Sequence, residues 1–115
     1  MIPFKNRFHG HSSLRYVYKN GQAIRSHLIT LKVITNPHRK DSRIAVVVSK
    51  KVMKSAVRRN HIRRVIYEYM RLKLPYIDGI YDIAIIASSG ELFTTSHEVM
   101  VDELNQLFNQ TVIKK

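Results

Sequence analysis

The 115-residue sequence predicts a single α+β domain, a two-layer α/β sandwich with helices packed on a mixed central sheet, and three observations support it. Short β-branched runs at 28–34, 44–48 and 81–87 occur with stretches of helical apolar period before the first, between the last two and after the last, giving the order αββ(β)αβα. The chain is 44% hydrophobic and only 24% charged, so it carries enough apolar surface to fold. Its length suits one domain spanning 1–115, able to bury about 65% of its unfolded surface.

Residues 1–12 are basic and His-rich without apolar period, and read as a loosely ordered arm. Ser12 or Ser13 can cap a short helix over 14–20, with Gly21 as a left-handed stop. Residues 22–34 read as one long strand, or as two joined by a bend around Arg25-Ser26-His27. A turn at 36–41 leads to the strand 44–48, apolar enough to be central in its sheet. Ser55 caps a long helix that ends near Leu74, before Pro75. Asp78-Gly79 makes a turn into the strand 81–87. Thr95-x-x-Glu98 forms a capping box for a last helix, whose apolar stripe is Val101, Leu104, Leu107 and Phe108 with Met100 beside it.

The charge is strongly polarised along the chain. Residues 1–73 hold 18 Lys+Arg against two acids, whereas 74–115 hold two Lys against six acids. A surface selected for solubility would mix the signs, so this net +12 points to a polyanionic partner. Nucleic acid leads, and an anionic membrane surface is the weaker alternative. The absence of Cys excludes disulfide scaffolds, Cys-based zinc sites and thiol catalysis, and is compatible with a reducing cytoplasm. No apolar run approaches the ~20 residues of a membrane span, and no signal peptide is visible.

The long helix is the informative element. Residues 50–73 contain nine Lys+Arg and one acid, Glu68. At helical spacing Ile62, Val65, Ile66, Tyr69, Met70 and Leu72 form the apolar arc. Asn60, His61, Arg63, Arg64, Tyr67 and Arg71 fall on the opposite arc, with Arg59 on the edge. Arg58 and Lys73 fall in the apolar arc near the helix ends, where they can reach solvent. Guanidinium forks pair with phosphate, an amide can read a base edge or a 2′-OH, and tyrosine can stack. A solvated face is the ordinary alternative, but such faces usually balance Lys with Glu at i,i+4.

These residues carry a family resemblance. The strand Ile44-Ala45-Val46-Val47-Val48-Ser49-Lys50-Lys51, followed on the next helix by Arg59-Asn60-His61-Ile62-Arg63-Arg64, resembles the bacterial ribonuclease P protein component and its RNR signature. His61 stands at the third RNR position, Tyr67 where a basic residue is frequent, and Leu14 where an aromatic is common. The resemblance implies binding of the catalytic RNA through Arg59, Asn60, His61, Arg63 and Arg64, with Lys50, Lys51, Tyr67 and Arg71 nearby. It also implies a cleft between the central sheet and the basic helix for the 5′ leader of precursor tRNA. Leu14, Tyr18, Leu28 and Thr30 are candidates to line it, although as apolar residues most are as readily core. A left-handed βαβ crossover is implied too, against the ~98% right-handed norm. So is Mg²⁺, held by the RNA partner, with no protein-bound cofactor.

Other constellations are weaker. His9-x-His11 lacks a supporting Cys or carboxylate and reads as part of a solvated arm, and no metal site is expected. The acids make no general-acid/base pair, and Ser49, Ser55 and His61 make no oriented triad, so no catalytic residue is expected in the chain. The function expected is that of a ribonuclease P subunit assisting leader removal in the cytoplasm. The alternative is a basic RNA-binding or ribosome-associated module, and a membrane-surface role fits least because the basic helix spends its apolar arc on a core.

Overall fold

A computed structural model describes Asn6, residues 11–37 and residues 39–111. It contains α1 (His11–Asn20), β1 (Gln22–Arg25), β2 (Ile29–Thr35), β3 (Arg43–Val47), α2 (Ala56–Lys73), β4 (Tyr81–Ala87) and α3 (His97–Asn109). Two 3-10 turns, Leu74–Tyr76 and Gly90–Phe93, flank β4. Most of the expected N-terminal arm, including His9, lies outside the described residues. Asn6 is buried, its amide donating to the Ser42 carbonyl at 2.7 Å, and α1 already begins at His11.

The four strands lie in the order β1-β2-β4-β3. β1 and β2 are a hairpin, with the bend at 26–28 where the sequence allowed one, and β2 pairs antiparallel with β4. Among the described residues β3 pairs only with β4, in parallel, and α2 makes the connection between them. The sequence reading of β3 as central is therefore corrected: it is an edge strand. Its unbroken apolar run reflects two covered faces, not two paired edges. The outward edge is still satisfied locally, because the Val46 amide donates to the Tyr67 hydroxyl at 3.3 Å.

One sheet face carries Ile29, Leu31, Val33, Ile44, Val46, Ile83 and Ile85, all buried against Ile62, Ile66 and Met70 of α2 and Met100, Leu104, Leu107 and Phe108 of α3. Val101 is only half-buried, so Met100 rather than Val101 belongs to the core stripe of α3. Leu72 is 60% exposed, outside the apolar arc assigned to it, because at about 100° per residue it lies far around the helix from the buried Ile62, Ile66 and Met70. On the reverse face α1 crosses β2 and β4, and Lys32 donates to the Tyr18 carbonyl at 2.7 Å, closing the last turn of α1.

Three local expectations change. Ser96, not Thr95, caps α3 and accepts from the Val99 amide, while Thr95 donates to the Glu91 carbonyl at 2.7 Å. Gly21 is not left-handed; a β-carbon there would lie 2.6 Å from the Val17 carbonyl oxygen, so close approach explains it. The positive φ belongs to Gly79, at 103°, in the turn before β4. At the start of that strand Asp82 accepts from Arg43 at 2.9 and 2.6 Å and from Asn36 at 2.9 Å. This buried bidentate pair locks β3 to β4 at the end where the crossover closes.

Candidate nucleic-acid interface

The basic face is assembled from the β3–α2 loop and the first four turns of α2. Lys50 and Lys51 are exposed on a turn in which Val52 and Met53 both donate to the Ser49 carbonyl. Ser55 caps α2, its hydroxyl accepting from the Arg58 amide at 3.3 Å. Arg59 folds back, its Nη1 donating to the carbonyls of Met53 at 2.9 Å and Lys54 at 2.8 Å. It is thus a strut between helix and loop as well as a surface charge.

Asn60 and Arg64 are exposed, and Arg63 donates to Asn60 Oδ1 at 2.6 Å, which orients the amide beside the guanidinium. Arg71 pairs with Glu68, donating from Nε at 2.8 Å, and this contact holds the Glu68 carboxyl below its usual range. The only acid of the helix therefore offsets Arg71 and leaves Arg63 and Arg64 one to two turns away. Tyr67 is half-buried with its hydroxyl on β3, so it closes the sheet edge rather than standing open for stacking. His61 is exposed at its outer side and packs edge-to-face on Phe93, ring centroids 5.5 Å apart.

The four residues expected to line a cleft do not share one. Leu28 is buried in the main core on the α2/α3 side, whereas Lys32 and Tyr18 meet on the reverse face of the sheet under α1. Thr30 points to that reverse face, since it alternates with core-facing Ile29 and Leu31, and its hydroxyl meets Ser88 Oγ at 2.9 Å. Leu14 and Tyr18 are half-buried one helical turn apart on α1. Tyr18 and Thr30 thus lie on the side of the sheet that α1 crosses, not between the sheet and the basic helix. Burial also raises the Tyr18 phenol above its ordinary value. Lys32 was absent from the sequence-derived set; its place in an apolar strand, alternating with Leu31 and Val33, was the available signal.

No three His, Asp or Glu side chains gather into a metal-binding group among the described residues. The carboxylates are instead dispersed on separate partners: Asp82 on Arg43, Glu68 on Arg71, Glu91 on His27 and Glu103 on Ser26. Dispersed in this way, they do not fit a protein-held Mg²⁺ among the described residues.

The chain is similar in sequence and in fold to known proteins. The family model described as Ribonuclease P matches residues 2–112. The chain belongs to the ribonuclease P protein family. It is 30% identical to the ribonuclease P protein component of Prochlorococcus marinus strain MIT 9312 over 98% of both chains. To the ribonuclease P protein component of Clostridium acetobutylicum it is 34% identical, over 92% of this chain and 88% of that one. Among solved structures, a Staphylococcus aureus RNase P protein mutant superposes with a TM-score of 0.84 at 22% identity, covering 95% and 90% of the two chains. The Thermotoga maritima RNase P protein gives 0.70 at 24% identity, covering 82% and 87%. Both share the fold. Ribonuclease P protein components are part of the holoenzyme that removes the 5′ leader of precursor tRNA. No described helix is long and apolar enough to cross a membrane.

Proposed function

We propose that this chain binds the catalytic RNA of ribonuclease P through the outer flank of α2 and the Lys50–Lys54 loop, and guides the precursor-tRNA leader along the α1 side of the sheet. The observation that carries this is that Asn60, Arg63 and Arg64 fall within about one turn of each other on α2, with Lys50 and Lys51 exposed in the loop that leads into it and the single acid of α2 already engaged by Arg71. Such a surface neutralises phosphates and releases their counterions. Tyr18, Thr30 and Lys32 supply what a single strand needs on the other side: an aromatic face, a hydroxyl and a cation 5.6 Å from the ring.

The protein's part in the reaction is electrostatic. Catalytic RNA and precursor tRNA are both polyanions, and holding them together costs Coulomb repulsion that either Mg²⁺ or a +12 protein offsets. Mg²⁺ would be held by the RNA partner, where it would supply charge neutralisation for the cleavage step, while these side chains bind, orient and neutralise the two RNAs. The work would be done in the cytoplasm, with whose reducing conditions a cysteine-free chain is compatible.

Reconstitution tests this. Adding the chain to a bacterial ribonuclease P RNA should restore precursor cleavage at low Mg²⁺, with the benefit shrinking as Mg²⁺ rises to tens of millimolar, where the Debye length falls below about 10 Å. The benefit should also shrink when the leader is trimmed to one or two nucleotides. Cleavage by RNA-free protein, or an equal benefit at every Mg²⁺ concentration, would overturn the proposal.

A further inference from the structure

The Gly90–Phe93 turn, between β4 and α3, has no counterpart in the sequence reading, yet it packs on the start of α2. Leu92 anchors it in the core at 1% exposure. Gly90 lies against the β3–α2 loop so closely that a β-carbon would come 2.9 Å from the Val52 carbonyl oxygen. Phe93 then meets two side chains of α2 that stand one turn apart. The Arg58 guanidinium lies over its ring at 4.8 Å from the centroid, and the His61 ring packs edge-to-face at 5.5 Å.

Stacking occupies the flat face of a guanidinium and leaves its five N–H donors, which lie in the plane, pointing outward. Arg58 is exposed. An arginine held this way has surrendered rotamer freedom beforehand, so an incoming phosphate does not bear that ordering cost. The sequence alone places Arg58 on the apolar arc; the turn after β4 turns that position into a presented cation.

We infer that Arg58 is a further phosphate-contacting residue of the RNA surface and that Phe93 is its positioning residue. This rests on the proposed RNA-binding role of α2 and extends its contact surface around the helix to the side facing the Gly90–Phe93 turn. Phe93 touches no RNA in this account; it acts through Arg58.

The test is fluorescence titration of the full chain with a bacterial ribonuclease P RNA over a salt series. Arg58→Gln should weaken binding about 5–30-fold and lower the magnitude of the salt slope by about one. Phe93→Leu keeps an apolar side chain beside Leu92 but removes the ring face. It should weaken binding about 3–10-fold with the salt slope unchanged, since every charge is retained. In an Arg58→Gln background Phe93→Leu should add nothing further, whereas with Arg58 present Phe93→Tyr, which keeps the ring face, should keep wild-type affinity. A merely structural Phe93 would give additive losses. Additive losses, or wild-type affinity and slope for Arg58→Gln while Arg64→Gln still weakens binding, would overturn the Arg58–Phe93 assignment alone. Failure of the unsubstituted chain to bind the RNA would overturn the underlying reading with it.

Discussion

Arg59 is the residue at which binding and folding are joined, and replacing it separates the two. The sequence places it at the rim of the basic face, where truncation would cost RNA affinity and little else. In the structure one guanidinium nitrogen serves two loop carbonyls, Met53 at 2.9 Å and Lys54 at 2.8 Å. A hydrogen bond to a charged group contributes about 1.5–3 kcal/mol when sheltered, less when water competes. The Met53 carbonyl is sheltered in part and the Lys54 carbonyl is exposed, so the pair together is worth about 2 kcal/mol. For a domain of this size that is about 8 °C in Tm. Arg59→Ala should show this loss in urea and thermal unfolding, while Arg64→Ala, exposed and without such a strut, should stay within about 0.5 kcal/mol. Arg59→Lys is the sharper probe. It retains the charge, so the salt slope of RNA binding should hold, yet the lysine ammonium sits one bond short of the Nη1 position that serves both carbonyls, and the loop carrying Lys50 and Lys51 loosens. Affinity should therefore fall at constant slope. Wild-type stability in Arg59→Ala, or a slope reduced by one in Arg59→Lys, would refute the strut.

Further outcomes follow from the same geometry. Arg43→Met strands the buried Asp82 carboxylate with Asn36 alone and should cost about 3–5 kcal/mol in urea unfolding, much of it regained when Asp82 is also made apolar. Glu68→Gln frees Arg71 from its partner and should tighten RNA binding a few-fold while raising the salt slope toward one further unit, read by titration at several salt concentrations. Burial raises the Tyr69 phenol, which donates to Asn105 at 2.5 Å, so the folded state keeps that proton after the unfolded chain has lost it. The Tyr69 contribution is thus complete below the ordinary tyrosine range of about 10 and is lost as pH climbs above it; in Tyr69→Phe, urea midpoints between pH 8 and 10.5 should fall less steeply.

Most of the secondary structure was legible because it is written in local chemistry. Ser55 and Pro75 bound α2, the β-branched alternation marks β2, and Tyr81–Ala87 is a strand residue for residue. The outer flank of α2 was legible for the same reason: Asn60, Arg63 and Arg64 fall together at helical period, and the Ser49-Lys50-Lys51 and RNR spacing gives the family. What periodicity does not carry is the neighbour across space. The position of β3 at the sheet edge, the closing of that edge by Tyr67, and the return of Arg59 to its loop depend on partners 5 to 39 residues away. The division of Leu28 from Tyr18 and Thr30 depends on the pleat and on which helix covers which face, since a strand pattern shows alternation but not what lies above it. Arg58 shows the limit most plainly. On a helical wheel it falls in the apolar arc near the helix end, free to reach solvent, and only the Gly90–Phe93 turn, a 3-10 segment too short to announce itself in sequence, supplies the ring over which its guanidinium is held. The sequence by itself determined which residues carry charge and along which helix. The tertiary structure decided which of those charges are held by the protein and which are offered outward, because hydrogen bonds and ring contacts between distant segments fix side-chain directions that backbone period leaves open.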